Sequence, residues 1–262
     1  MIRSPLGIRL NPARPIRDQI REAARIGAKG VVIDAIGDLS PDRLSETGRR
    51  ELRHLLRSVE LSLIALHLPT RRPFDTTDQL DDRLRRAENA FTLAYELGSR
   101  LVLARVGALP PDSEALRRET WCSAVSELGR RADHRGVRIA LETGTESGEE
   151  LRPILDSLNS IGLGASIDPG TLLLHGQNPI AAARDLGPWV IHAYATDSSS
   201  SGMQARVANP LGGGFRPGVL DWEEYLGSLE EINYRGFLTI WPDPARDPVL
   251  QFTSLREHLE RL

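Results

Sequence analysis

The stretch "GVRIALETGTESGEELRPILDSLNSIGLGASIDPG", residues 136–170, decides the fold. Two short apolar runs stand at its ends, "GVRIALETG" (136–144) and "GLGASIDPG" (162–170). The segment between them repeats apolar residues at the three- and four-residue spacing of one helical face, namely Leu151, Ile154, Leu155 and Leu158. This pattern predicts a strand, a helix and a second strand, and the helical crossover makes the two strands parallel.

The same unit recurs along the whole chain. Several apolar runs follow a glycine turn, such as "RIGAKG" or "YELGSR", which is typical of a helix C-terminus. The predicted strands are 6–10, 30–35, 61–69, 99–107, 136–144, 162–170, 189–197 and 236–241. Eight such units in 262 residues predict an α/β protein with a single (β/α)8 TIM barrel of parallel strands. No linker divides the chain, so one domain is predicted over residues 1–262.

The composition excludes several classes of protein. With 33 basic and 36 acidic residues, the net charge is −3, and no basic block suggests a nucleic-acid partner. The only lysine, Lys29, lies in the turn before the second strand, at the wrong end of a barrel for Schiff-base or pyridoxal phosphate chemistry. No glycine-rich nucleotide loop follows the first strand. No apolar run has the length of a signal peptide or membrane span, so we expect a cytoplasmic protein without a membrane partner.

Polar side chains stand at the predicted C-terminal ends of the strands, where such barrels build their active sites. They are Asp34, His67, Arg105, Glu142, Asp168, the segment from Tyr194 to Asp197, and Trp241. This is more polarity than stability requires, and it predicts a ligand-binding mouth. Structural roles stay open for single residues, because Asp34 could cap a helix, Arg105 could pair with a carboxylate, and His67 could bond a loop carbonyl.

Glu142 and Asp168 are the strongest pair among these residues. Each ends an apolar strand, where an unpaired carboxylate would be costly. Two carboxylates on adjacent strand ends suit a divalent cation, or general acid–base work on a polyol. His192 points the same way as Tyr194 but lies one layer deeper. The predicted catalytic residues are therefore Glu142, Asp168, His192 and Tyr194.

Three stretches resemble the xylose isomerase-like TIM-barrel family of sugar phosphate isomerases and epimerases. They are "LETGTESG" (141–148), "IDPGTLLLHG" (167–176) and "PLGGGFRPGVLDWEEYLGSLEEINYRGFLTI" (210–240). The resemblance implies a divalent metal (Mn, Mg or Co), held by four residues at the ends of strands five to eight. The metal polarises the substrate carbonyl while two glutamates move a proton at the neighbouring carbon. By position, Glu142 matches the first ligand and Asp168 the second.

The chain departs from this pattern at the other two ligands. The third is normally a histidine three residues before an aspartate, and "YATD" has Tyr194 in that place, with Asp197 retained. The fourth is an acid closing the eighth strand, and "LTIW" has Trp241 there. An indole has no acceptor, so it can neither ligate a metal nor accept a proton, although it can stack on a sugar. We expect the metal site to be partly lost unless His192 or Asp243 substitutes.

Two functions are compatible with these residues. The favoured one is a sugar isomerase, epimerase or related lyase that acts on a small carbohydrate or sugar acid, with proton transfer next to a carbonyl. The alternative is a catalytically inactive sugar-binding or scaffold barrel. A flexible lid or plain turn is the favoured interpretation of "LGGGFRPG", and the alternative is a phosphate cradle in which Arg206 binds a substrate phosphate. Barrels of this kind often form homodimers, and the oligomeric state stays open. The predicted substrate-binding residues are Asp34, His67, Arg105, Asp197, Arg206, Trp241 and Asp243.

Overall fold

The computed structural model describes residues 4–196 and 220–262. Its strands are β1 (Leu6–Arg9), β2 (Gly30–Asp34), β3 (Ser62–Leu68), β4 (Leu101–Ala104), β5 (Arg138–Glu142), β6 (Leu163–Ile167), β7 (Val190–Tyr194) and β8 (Leu238–Ile240). Each strand is parallel to the next, and β8 pairs with β1 to close the ring. The predicted (β/α)8 barrel is therefore confirmed, and each strand lies within the run predicted for it.

Helices follow the strands and surround the barrel. In the described residues they are α1 (Ile16–Arg25), α2 (Glu46–Ser58), α3 (Leu80–Leu97), α4 (Ala115–His134), α5 (Gly148–Leu158), α6 (Pro169–Leu174), α7 (Pro179–Leu186), α8 (Trp222–Glu231) and α9 (Pro248–Leu259). Side-chain caps define several starts, for example Ser147, which forms a reciprocal capping box with Glu150 at α5. None of these helices has the length and apolar character needed to cross a bilayer.

The inside of the barrel is filled by side chains from alternate strand positions. An apolar cluster lies there, formed by Val32, Ala65, Leu103, Ala140 and Tyr194. Near the N-terminal ends of the strands, Ile64 occupies space that only glycine leaves free, because a Cβ at Gly7 or Gly30 would overlap its side chain. The inside of the barrel is consequently a packed core, and barrels of this kind bind their ligands at the C-terminal ends of the strands.

The seam between β7 and β8 is short, and side chains reinforce it. The two strands pair at only two positions. The Tyr234 hydroxyl accepts a hydrogen bond from the Ala193 N–H at 3.1 Å and donates one to the Phe237 carbonyl at 2.7 Å. The Tyr225 hydroxyl donates to the Tyr194 carbonyl at 3.0 Å. These bonds tie the two strands together where the backbone ladder is shortest.

Candidate active site

Arg9 ends β1 and is the charged residue at the centre of the barrel mouth. Its neighbour Ile8 packs in the core between barrel and helices, so strand alternation turns Arg9 inward. The guanidinium is buried and donates two hydrogen bonds to Asp34, from Nε to Oδ1 at 3.1 Å and from Nη2 to Oδ2 at 3.3 Å. The sequence analysis missed Arg9, although a charged residue inside the apolar run "LGIRL" (6–10) was the signal that could have identified it.

The remaining donors and the flat face of Arg9 are also engaged. Nη1 donates to the Tyr194 hydroxyl at 3.1 Å and lies 3.6 Å from Glu142 Oε1, and Nη2 lies 2.7 Å from His67 Nδ1. The guanidinium carbon lies 3.8 Å from the ring centroid of Trp241, a cation–π contact. Burial alone would lower the pKa of Arg9, but the phenol and the carboxylates around it raise that pKa, so the cation is maintained.

Glu142 ends β5 with two oxygens in different environments. Oε1 accepts a hydrogen bond from the Tyr194 hydroxyl at 2.9 Å. Oε2 is buried and has no hydrogen-bond partner among the described residues, although His67 Nε2 lies 3.4 Å away and Arg105 Nε 3.5 Å away. Burial alone would raise the pKa of Glu142, but His67, Arg9 and Arg105 lower it to about 2. The side chain is therefore a carboxylate at neutral pH, with one oxygen fixed and one without a bond.

His67 stands between two carboxylates. Its Nδ1 lies 3.2 Å from Asp34 Oδ1, and its Nε2 faces Glu142. Burial would lower the pKa of His67, but the neighbouring carboxylates of Asp34 and Glu142 offset this and raise it above its usual value. When the ring is neutral, Nδ1 accepts from Arg9, and when it is protonated, Nδ1 donates to Asp34. In both states Nε2–H points toward Glu142.

Tyr194 links the arginine to the glutamate. Its side chain is fully buried, with the hydroxyl between Arg9 and Glu142. Burial raises the pKa of Tyr194 well above 10, and the charge of Glu142 raises it further. The phenol is neutral at physiological pH, where it donates to the carboxylate and accepts from the guanidinium. In this arrangement the Tyr194 hydroxyl holds Arg9 and Glu142 in position, and its high pKa disfavours a role as a phenolate base.

Asp168, at the C-terminal end of β6, is the N-cap of α6. Its Oδ1 accepts from the Thr171 N–H at 3.3 Å and from the Thr196 hydroxyl at 2.7 Å, and its Oδ2 accepts from the Thr171 hydroxyl at 2.6 Å. Both oxygens thus have partners, on α6 and in the segment that follows β7. The sequence analysis did not identify the two threonines, because hydroxyl residues after a strand carry no distinctive spacing.

His192 lies below the mouth, inside the barrel. Nδ1 is 2.8 Å from the Ser166 hydroxyl and Nε2 is 2.9 Å from the Thr239 hydroxyl, so both ring nitrogens have partners on neighbouring strands. The ring packs edge-on against Tyr194 with centroids 4.6 Å apart. Full burial lowers the pKa of His192 to about 3, so the ring is neutral. This geometry joins β6, β7 and β8 and brings His192 into contact with the mouth only through Tyr194.

Two cavities lie at the mouth beside Trp241. The smaller, about 280 Å³, is bounded by Arg105, Asp168, Thr171 and Thr196, while the larger, about 610 Å³, extends past Arg9 toward α1; Trp241 lines both.

Asp243 also borders both cavities, but its carboxylate contacts residues of the backbone turn to which it belongs. Oδ1 accepts from the Ala245 N–H at 2.9 Å, and Oδ2 lies 3.6 Å from Arg246 Nε. The predicted site residues Asp197 and Arg206 lie outside the described residues.

The donor set does not fit a divalent cation. Within residues 4–196 and 220–262, no group of three or more His, Cys, Asp or Glu side chains converges in a metal-ligating arrangement. Asp168 has both oxygens bonded by threonines, and the Arg9 guanidinium stands between the carboxylates of Asp34 and Glu142. The indole of Trp241 has no lone pair to offer at the fourth position.

A family model described as xylose isomerase-like TIM barrel matches residues 20–262. Among curated proteins, the chain is similar to an inosose dehydratase from Clostridium beijerinckii, at 23% identity over 149 residues. The alignment covers 50% of this chain and 49% of that protein, so it spans about half the length of this curated relative.

Solved structures share the fold over nearly the whole chain. A xylose isomerase domain protein from Planctomyces limnophilus has a TM-score of 0.80 at 20% identity, with 99% of each chain covered. A D-psicose 3-epimerase with D-tagatose, from Clostridium cellulolyticum H10, has a TM-score of 0.78 at 14% identity, with 98% of each chain covered. At this level of identity the likeness shows the fold alone.

Proposed function

The chain belongs to the xylose isomerase-like TIM barrel family, and on that premise we propose that it moves a proton at the carbon next to a carbonyl of a small sugar or sugar acid, with Glu142 as base and without a divalent metal. The observation that carries the proposal is the difference between the two oxygens of Glu142. Tyr194 and Arg9 fix Oε1, whereas Oε2 is ionised and free of hydrogen bonds among the described residues.

The groups around Oε2 also supply a way to make the base stronger. A carboxylate with a pKa of about 2 is a weak base, and three cations hold it there. Two of them, His67 and Arg105, approach Oε2 at 3.4 and 3.5 Å without bonding it. When a substrate carbonyl accepts hydrogen bonds from these N–H groups, their positive charge stabilises the Glu142 carboxylate less. The pKa of Glu142 therefore rises when substrate binds.

The proton transfer balances with the groups present. Oε2 of Glu142 takes a proton from the carbon next to the carbonyl, and the electron pair of that C–H bond moves onto the carbonyl oxygen. The resulting enediolate oxygen faces Arg105 Nε and His67 Nε2, which supply positive charge where negative charge develops. A single free carboxylate returns the proton on the same face, to the adjacent carbon, while the hydroxyl proton of that carbon passes to the enediolate oxygen. This isomerisation is the outcome that the geometry favours.

The smaller cavity has the dimensions and lining for a small sugar. Its volume of about 280 Å³ lies near the lower end of the range for ligand pockets. Arg105 and two threonines offer hydrogen-bonding groups, and the indole of Trp241 offers a flat face for sugar C–H bonds. The names of the relatives, a sugar epimerase and an inosose dehydratase, agree with a carbohydrate ligand.

Exchange with deuterated water tests the proposal whichever product forms. Chelator-treated protein is incubated in D2O with a panel of ketoses, aldoses and sugar acids, and C–H loss is followed by proton NMR. We expect deuterium to enter the carbon next to the carbonyl of at least one substrate, and Glu142→Gln to slow this by about 10²–10⁴-fold. Glu149→Gln, an exposed position on α5, is the matched control. Exchange that survives in Glu142→Gln contradicts the assignment of the base.

The inactive sugar-binding barrel is the second candidate, and the stacking surface of Trp241 favours it. Trp241 lines both cavities and could hold a sugar without any proton transfer. Saturable binding of a panel sugar, with no deuterium exchange in that sugar, would select this function over the enzyme.

A further inference from the structure

The two positions at which the chain departs from the family's ligand pattern are both in contact with Arg9. Tyr194, in the third ligand position, accepts a hydrogen bond from Arg9 Nη1 at 3.1 Å. Trp241, in the fourth, packs its ring against the guanidinium at 3.8 Å, and the two aromatic rings lie 5.6 Å apart. The replacements and the arginine therefore form one contiguous cluster.

Each replacement suits a guanidinium and not a divalent ion. A neutral phenol can accept a hydrogen bond from an N–H group and donate its own O–H to a carboxylate. Tyr194 does both, with Arg9 as donor and Glu142 as acceptor. An indole face attracts a planar, weakly hydrated cation. Divalent ions of the Mg²⁺ or Mn²⁺ kind take carboxylate, carbonyl or water oxygens, with imidazole as a further ligand for Mn²⁺, and an indole offers none of these.

The buried charges also require a cation at this place. Glu142 is buried and Asp34 is largely buried, with side chains 2% and 10% exposed, and two unpaired carboxylates at this place would be costly. Arg9 contacts both, and its own side chain is 4% exposed. It therefore balances charge that little solvent reaches.

We propose that Arg9, Tyr194 and Trp241 act as one set in which the guanidinium takes the place and the charge-balancing role of a divalent cation at the barrel mouth. Arg9 is then a positioning residue that holds Asp34 and Glu142, with all of its nitrogens engaged by protein groups. This inference does not rest on the proposed function, because its test measures cation binding and requires no turnover.

The first test is a titration of chelator-treated wild-type protein with Mn²⁺, with free ion measured by electron paramagnetic resonance. We expect no bound ion at millimolar Mn²⁺ and no shift in melting temperature. One Mn²⁺ per chain that disappears in Glu142→Gln would overturn the proposal, since the carboxylate would then bind a metal despite Arg9.

The second test asks whether removing the guanidinium restores a cation site. Trp241→Glu alone keeps Arg9, which we expect to pair with the new carboxylate and exclude Mn²⁺. The double variant Arg9→Ala/Trp241→Glu is expected to bind one Mn²⁺ per chain, at least about tenfold more tightly than Trp241→Glu. The reason is that carboxylate oxygens then surround the space left by the guanidinium, with no arginine cation to balance their charge. Arg21→Ala/Trp241→Glu, with an exposed arginine of α1 removed, is the matched control.

The outcomes separate clearly. Equal Mn²⁺ affinity in Trp241→Glu and in the double variant, or a folded double variant that binds none, overturns the proposal. If circular dichroism shows that the double variant does not fold, the wild-type titration decides alone, with bound metal against the proposal and none in its favour. Either result leaves the deuterium-exchange experiment on Glu142 independent.

Discussion

The guanidinium carbon of Arg9 lies over the indole of Trp241, 3.8 Å from its ring centroid. The contact joins the end of β1 to the end of β8, which are neighbouring strands in the closed barrel. Trp241 also borders both cavities, as do the three residues that follow it. The pair thus contributes to both the charge and the shape of the mouth.

Trp241→Ala should weaken both the fold and ligand binding. Loss of the cation–π contact is expected to reduce the free energy of unfolding by about 1–2 kcal/mol, in addition to the loss of packing. The two cavities would merge, and affinity for a sugar identified by the exchange assay should fall about tenfold or more. Urea unfolding and calorimetric titration measure the two effects. Trp241→Phe, which keeps a ring face, should lose less than half as much of each; equal losses would show that the ring face has no role.

Arg9→Met should be strongly destabilising, because it leaves two buried carboxylates without their shared partner. We expect the free energy of unfolding to fall by about 3–5 kcal/mol. Adding Asp34→Asn removes one of the uncompensated charges and should restore part of the loss. The control is Arg21→Ala, whose exposed pair with Asp18 is expected to contribute less than about 1 kcal/mol. A loss of that small size in Arg9→Met would contradict the charge-balancing role.

Substitutions at Asp168 distinguish a capping role from a ligand role. Asp168→Ala removes the N-cap of α6 and should cost about 1–2 kcal/mol of stability. Asp168→Asn keeps an acceptor oxygen and should recover most of that stability. If the side chain also contacts the substrate as a carboxylate, sugar affinity in Asp168→Asn should still fall, although thermal unfolding stays near wild type. Unchanged affinity would leave Asp168 with the cap alone.

Buried His192 should make the fold sensitive to acid. Its pKa is about 3 in the folded protein, against an ordinary value of 6.5, so between these values the unfolded chain binds a proton that the folded chain does not. Its contribution to stability is complete above pH 6.5 and is lost as pH falls toward 3, by at most about 1.4 kcal/mol per pH unit. The difference in unfolding free energy between wild type and His192→Gln, measured from pH 7 to pH 4, should follow this slope. A constant difference would contradict it.

Sequence patterns predicted the barrel because its determinants are local. Apolar runs, helical spacing and glycine turns each occupy a few consecutive residues, and every strand was found inside its predicted run. The location of the mouth was predictable for the same reason, because the predicted strands also define where the strand ends lie. Asp34, His67 and Glu142 do meet there, with His67 3.2 Å from Asp34 and 3.4 Å from Glu142.

The partners within the mouth were not predictable in the same way. Whether Arg9 faces the barrel interior or the helices depends on register across β1, β2 and β8, and a strand of only four residues gives too few positions to show alternation. His192 illustrates the converse. Its direction was predicted, but only the structure shows that Ser166 and Thr239 use both of its nitrogens.

Tyr194 belongs at once to the mouth and to the reinforced seam between β7 and β8. Its hydroxyl connects Arg9 with Glu142, its carbonyl receives the Tyr225 hydroxyl, and its backbone pairs with Thr239. A substitution of Tyr194 therefore acts in two places at once, on the charges of the mouth and on the joint between β7, β8 and α8, so the polarity of the mouth cannot be altered at this position without altering how the barrel is held together.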